Sequence, residues 1–176
     1  MGAVVIDADA ISRSATAAGG IAMEAIGASF GCNVVRADGA LDRDRMRELV
    51  FADPTAKARL EAIVHPLVAQ AIAQQTQDAE RTGVACMVFD IPLLVESGHG
   101  RQILHRILVI DCPEETQIAR VMTRSALTPS EVRSILAAQA TRAARLAAAD
   151  LVLFNEGISL EQLTRQVHEL GAQFGL

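Results

Sequence analysis

The apolar positions of this chain fall into two patterns: short unbroken runs and longer helical repeats. Four runs, at 4–7, 85–90, 107–111 and 151–155, are apolar until they end in Asp7, Asp90, Asp111 and Asn155. Each is too short for a helix and apolar on both sides, which predicts buried strands. Between them the repeat is helical. Segments 10–17 and 21–30 read as helices, the second closed by Gly31. Asp42 is placed to cap a helix over 43–51. Asp53-Pro54 predicts a cap with proline at the first helical position, opening a helix to about residue 64, after which Pro66 starts a long helix to about residue 82. Pro113 opens a helix to about residue 124. Thr128-Pro-Ser-Glu131 is a capping-box sequence opening a helix to about residue 146, and Ser159-Leu-Glu-Gln162 opens the terminal one.

Strands that alternate with helices and are apolar throughout predict an α/β fold: a parallel sheet covered by helices on both faces. Ligands of such sheets bind beyond the carboxyl ends of the strands. Asp7, Asp9, Asp90, Asp111 and Asn155 are therefore expected at the mouth of a site. The helical block over residues 38–83 is too long for a simple crossover and reads as an inserted subdomain within a single domain of 176 residues. A helix pair is expected over residues 113–147.

Composition changes this picture in three ways. Apolar residues make up 51% but aromatics only 3%, so the helices are expected to pack closely through alanine. A net charge of −5 and a pI of about 5.3 argue against a general nucleic-acid binder or a binder of anionic membranes. The longest apolar stretch, 84–95, is broken by Asp90 and Pro92 and is too short to span a bilayer; no leader is expected. Cys32, Cys86 and Cys112 form no C-x-x-C pair and predict buried thiols in a reducing cytoplasm. His65, His99, His105 and His168 lack metal-ligand spacing, so no directly ligated metal is expected.

Arginine supplies the candidate anion chemistry. Arg120 and Arg124 are one helical turn apart, and Arg142 and Arg145 stand at i, i+3. A guanidinium stays charged and grips phosphate with a planar fork. A solvated basic face paired with the many acids is the plainer alternative. Gln139 precedes Arg142 by three residues and is expected on the same helix. Asp7 and Asp9 are expected on one side of an extended strand.

The order of segments carries a resemblance. VIDAD at 5–9, FG at 30–31, DG at 38–39, LDR at 41–43, LEAIVHP at 60–66, DIPLLVE at 90–96, ETQIAR at 115–120 and ILAAQATRAARLAAAD at 135–150 are followed by a strand ending in Asn155. From Gly2 to about Leu170 the chain resembles bacterial dephospho-CoA kinase. The resemblance implies a P-loop kinase core with a helical CoA-binding subdomain and a helical lid. It also implies transfer of the γ-phosphoryl group of ATP, taken with Mg²⁺, to the 3′-hydroxyl of dephospho-CoA.

It assigns roles as well. Asp9 matches the carboxylate near the acceptor hydroxyl, which orients that hydroxyl and accepts its proton; a helix N-cap is the alternative. Asp7 would orient Asp9, bind substrate or hold Mg²⁺ through water, and Asp90 would hold it likewise. Arg43 would reach substrate phosphates, an ion pair with Asp42 being the alternative. His65, at the expected junction of two helices, would bind substrate. Pro92, Leu93 and Leu94 would form an apolar wall for dephospho-CoA, with Glu96 as polar anchor. Arg120 would serve in catalysis and ATP binding, and Arg124, Gln139, Arg142 and Asn155 in ATP binding.

One family feature is absent from these residues. No G-x-x-x-x-G-K-[ST] loop occurs in the chain, and that loop cradles the phosphates of ATP. In the family a strand, this loop and a helix precede the VIDAD strand. The expectation is therefore a kinase fold with its first central strand missing and no measurable phosphoryl transfer. Two other readings remain open: another P-loop nucleotide kinase, and a binding-only protein that keeps the dephospho-CoA cleft.

Overall fold

The apolar runs do form strands, and the computed structural model describes them within residues 2–98 and 100–176. Two units divide the chain, Gly2–Pro92 and Leu93–Leu176. The first runs β1 (Val4–Asp7), α1 (Ala8–Ala15), α2 (Met23–Phe30), a 3₁₀ turn (Cys32–Val34), α3 (Arg43–Ala52), α4 (Pro54–Arg81) and β2 (Met87–Asp90). The second runs α5 (Leu94–Ser97), α6 (Gly100–Ile103), β3 (Leu108–Asp111), α7 (Glu114–Ser125), α8 (Pro129–Ala137), α9 (Arg142–Ala148), β4 (Leu151–Phe154) and α10 (Leu160–Ala172).

The α/β class with parallel strands stands. The pairing differs from one continuous sheet: among the described residues the strands form two two-stranded ladders, β1 with β2 and β3 with β4. Val4 lies opposite Met87 and Asp7 opposite Asp90; Leu108 lies opposite Leu151 and Asp111 opposite Phe154. Apolarity marks a strand but does not say which edge finds a partner. It also conceals the alternation of the first ladder, where Ile6 is buried while the register partners Val5 and Val88 are exposed.

The largest buried apolar cluster lies in the first unit. Ala15, Ala22, Ile26, Val34, Leu41, Met46 and Val64 form its centre, with Leu60, Ile63, Leu67 and Val68 packed against it. Caps place its helices: Asp7 accepts from the Ala10 N–H, Asp42 from Arg45 and Asp53 from Thr55. α4 overturns the expected break at Pro66. It is one helix of 28 residues with Pro66 inside it, about 42 Å long. Proline removes the N–H that would bond the Ala62 carbonyl. Packing on both sides of it holds the axis, since Leu60, Ile63 and Val64 before it and Leu67 and Val68 after it share one core.

The stretch after Thr128 departs in the opposite sense. One helix was expected to about residue 146, but α8 ends at Ala137 and α9 starts at Arg142. Thr141 caps α9 by accepting from the Ala144 N–H. A tertiary contact takes the Ala140 N–H as well, and alanine-rich propensity yields to it. The cysteines differ too: Cys32 is exposed and Cys86 and Cys112 are half-buried, all as free thiols. His99 lies outside the described residues.

Candidate active site

In the first unit, β1 ends at Asp7 and α1 begins at Ala8, so Asp7 and Asp9 do not share an extended strand. The strand signal runs out because the Asp7 side chain caps the helix at once. Its Oδ1 accepts from the Ala10 N–H at 2.8 Å and its Oδ2 lies 3.6 Å from the Arg13 guanidinium. The capping role suggested for Asp9 thus belongs to Asp7. Asp9 stands in the first turn of α1, exposed and, among the described residues, without a hydrogen bond or ion pair. Asp7 and Asp90 are register partners at the carboxyl ends of adjacent parallel strands. Their oxygens are of the hard kind that suits a water-bridged Mg²⁺.

Asp9, Ser12 and Thr16 follow at i, i+3 and i+7, so they lie along one side of α1. Ser12 and Thr16 line a pocket of about 250 Å³ with Leu41, Arg43, Leu60, Glu61, Val64 and His65. Thr16 is only 6% exposed, and its hydroxyl joins the two walls. It donates to the Ser12 carbonyl at 3.0 Å and accepts from the Arg43 Nη2 at 3.1 Å. The Asp42 pairing suggested for Arg43 does not form, because Asp42 caps α3 and lies 3.5 Å from Arg45. The Arg43 guanidinium therefore meets a neutral hydroxyl and keeps its charge for a ligand. His65 is not at a helix junction but on the continuous α4, exposed at the rim. Glu61 is half-buried and lies 3.8 Å from Lys57.

The second unit gathers a polar network. Asp111, 5% exposed at the end of β3, accepts two bonds from Arg142: Nε at 2.8 Å and Nη2 at 2.6 Å. The Arg142 bond holds the Asp111 carboxyl below the usual carboxylate range against the opposing effect of burial, and the guanidinium is correspondingly raised. Ala140 is held on both sides: its N–H donates to Glu96 Oε1 at 2.6 Å, and its carbonyl accepts from Arg145 Nη1 at 2.7 Å. Glu96 thus spends one oxygen on backbone. Gln139 sits in the break between α8 and α9, not on the helix of Arg142. The backbone N–H of Asn155 donates to the Asp111 carbonyl at 2.8 Å.

Pro92 and Leu93 are exposed, and Leu93 adopts φ 57°, a left-handed backbone at a branched residue. Leu94 packs back on Gly100, where an added Cβ would meet the Leu94 side chain at 2.8 Å. Of the suggested apolar wall, then, Pro92 and Leu93 are open and Leu94 is turned into its own unit. Arg120 and Arg124 lie on α7, both exposed, with no hydrogen bond or ion pair among the described residues.

Three polar pocket residues, Ser12, Thr16 and Glu61, carry no role in the sequence reading, nor do the apolar Leu41, Leu60 and Val64. Helical spacing from Asp9 could have found the first two. The Asp111–Arg142 pair spans 31 residues of sequence and leaves no local signal.

Parallel strands ending in carboxylates, followed by helices bearing arginines, place the chain among α/β phosphotransferases. The profile of the dephospho-CoA kinase family matches residues 1–161. A dephospho-CoA kinase of Albidiferax ferrireducens is 52% identical over 176 residues, covering all of this chain and 83% of that protein. One from Bordetella pertussis is 52% identical over 172 residues, covering 96% of this chain and 79% of its own. A Thermus thermophilus crystal structure matches with a TM-score of 0.76 at 34% identity, covering 98% of this chain and 85% of that one. A dephospho-CoA kinase from Campylobacter jejuni matches with a TM-score of 0.69 at 25% identity and the same coverage. The chain belongs to the dephospho-CoA kinase family.

Proposed function

We propose that this is a dephospho-CoA kinase which, once supplied with a G-x-x-x-x-G-K-[ST] loop to hold ATP, phosphorylates the 3′-hydroxyl of dephospho-CoA with Asp9 as the general base. The supporting observation is the line of Asp9, Ser12 and Thr16 on α1, which ends at a pocket rimmed by Arg43 and His65. Asp9 has no competing partner among the described residues, so its carboxylate is free to take a hydroxyl proton. In the step, the 3′-oxygen forms a bond to the γ-phosphorus and the bond from that phosphorus to the β,γ-bridging oxygen breaks. The proton goes to Asp9 and ADP leaves. Arg43 meets the acceptor's phosphates and His65 its polar body, while the exposed Pro92 and Leu93 offer apolar surface to the rest of the acceptor.

Arg120, Arg124 and Arg142 bind the nucleotide phosphates, Gln139 hydrogen-bonds the nucleotide or the lid, and Asn155 serves near the adenine. Arg120 also carries charge developing in the transition state. Mg²⁺ would be held by Asp7 and Asp90 through water, where it would neutralise phosphate charge. The reading is of a cytoplasmic enzyme, in keeping with three unpaired cysteines. Among the described residues no helix is long and apolar enough to cross a membrane.

Chromatographic detection of CoA from protein, ATP, Mg²⁺ and dephospho-CoA tests this. Turnover of dephospho-CoA but not AMP, UMP or CMP is expected once a strand–G-x-x-x-x-G-K-[ST]–helix segment is joined ahead of residue 1, and none from residues 1–176 alone. Preference for a nucleoside monophosphate would make the chain a different nucleotide kinase. Calorimetric binding of dephospho-CoA without turnover even by the joined chain would favour a binding-only protein.

A further inference from the structure

Arg142 is exposed to a different extent from its partner: the Arg142 side chain is 39% accessible and that of Asp111 6%. The carboxylate is therefore fixed in the protein while part of the guanidinium faces solvent. The bonds to Asp111 use the Nε–H and one Nη2 N–H. A guanidinium joined side-on in this way keeps its end-on edge open, with both Nη1 N–H groups and the second Nη2 N–H left to donate. The backbone before Arg142 is fixed as well, since Glu96 and Arg145 hold the N–H and the carbonyl of Ala140, in the two successive peptide groups that flank its Cα. The Asp111 carbonyl is itself held by Asn155. Asp111 is thus anchored through main chain and side chain together.

We propose that Asp111 is a positioning residue: it grips the Nε side of Arg142 so that the Nη1–Nη2 edge is presented to phosphate oxygens of the nucleotide. The inference rests on the ATP role given above to Arg142. It reverses the simpler view that an arginine in an ion pair is lost to ligand binding. Asp111 does not compete with phosphate, because the two anions occupy different edges of one planar group. Fixing the plane in advance also removes the rotamer cost that a free arginine meets when it binds.

The test reads Arg142 directly, by nuclear magnetic resonance of the full chain with isotope-labelled arginine. One slowly exchanging Nε–H signal is expected, absent in Arg142→Lys and in Asp111→Asn. Titration of the wild-type chain with ATP should move the Nη signals of Arg142 while the Nε–H signal persists. In calorimetry, Asp111→Asn should weaken ATP binding roughly ten- to hundredfold. In an Arg142→Lys background it should cost nothing further, whereas a merely structural role would add its own loss.

If Asp111→Asn does not fold, the wild-type titration decides alone. Loss of the Nε–H signal on adding ATP, or tighter ATP binding by Asp111→Asn, would mean that Asp111 sequesters Arg142 and would overturn the proposal. ATP binding with every Arg142 signal unmoved would overturn it and leave the kinase reading in place. No ATP binding by the wild-type chain would overturn that reading, and this inference with it.

Discussion

Arg43 and Arg142 are both candidates for phosphate, yet the two units hold them in different ways. Arg43 leans on a neutral hydroxyl, Thr16, above an apolar helical cluster. Arg142 is gripped by a buried carboxylate inside a chain of polar bonds. A hydroxyl orients a cation without neutralising it, so Arg43 keeps its full charge and some freedom. A carboxylate neutralises part of that charge and fixes the plane. The first arrangement suits a variable approach of a large, flexible substrate; the second suits a phosphate that must be met in one geometry. Around the two arginines the units differ in the same sense: near Arg43 lie Ile26, Val34 and their buried neighbours, whereas near Arg142 bonds link Asp111, Glu96 and Ala140, although the second unit also buries Ile107, Val132 and Leu153.

The contrast can be broken at several points. The largest effect is expected at the chemistry itself. In the chain joined to a G-x-x-x-x-G-K-[ST] segment, Asp9→Asn should lower kcat for CoA formation by roughly 10²–10⁴ with little change in affinity for dephospho-CoA. Unchanged turnover would remove Asp9 as the base. Next comes the apolar side of the comparison. Ile26 is fully buried, and Ile26→Ala should cost about 2–5 kcal/mol in urea unfolding, with α2 and the part of α4 it packs on losing amide protection first. A loss spread evenly over both units would refute the separation by burial.

A smaller effect is expected in the polar unit from Thr141→Ala, which removes the cap of α9. About 0.5–2 kcal/mol is at stake, read best as faster amide exchange at Ala144. The smallest signal is the acid response of Asp111. Its folded-state pKa lies below the unfolded value because of the Arg142 bond, so the protein gains stability above the unfolded pKa. That gain is lost as pH falls through the folded value, where the native state must take up the proton. The half-open guanidinium is screened by water, which keeps the term modest. Acid unfolding of Asp111→Asn should lack it, and identical acid profiles for the two proteins would show that the pair carries no net charge effect.

Much of this was legible in the residues. Strand ends were marked by Asp7, Asp90, Asp111 and Asn155, and the caps Asp42, Asp53, Thr128 and Ser159 all stand where they were read. What failed was whatever depended on a distant partner. Pro66 has the local signature of a helix start, and only packing on both of its sides makes it an interior residue. The alanines before Arg142 have the signature of a continuous helix, and the Glu96 carboxylate, 44 residues away, meets the turn that interrupts it. Strand pairing failed for a related reason, since an apolar run carries no record of which edge it offers. In the candidate site, residue types were readable but their bonds were not. Arg43 was singled out without Thr16, and Arg142 without Asp111.

The unbroken α4 has a consequence for how this sequence can vary in length. Its first half packs against the core that carries the pocket, and the helix also packs against β1. A helix turns about 100° and advances 1.5 Å for every residue. A single insertion between Pro66 and Ala79 would rotate all that follows by more than a quarter turn and carry the buried Ala79 off its contact. Gaps and insertions in related chains should therefore avoid this segment or come in near-whole turns, and gather instead in the turns at 36–40 and 82–86.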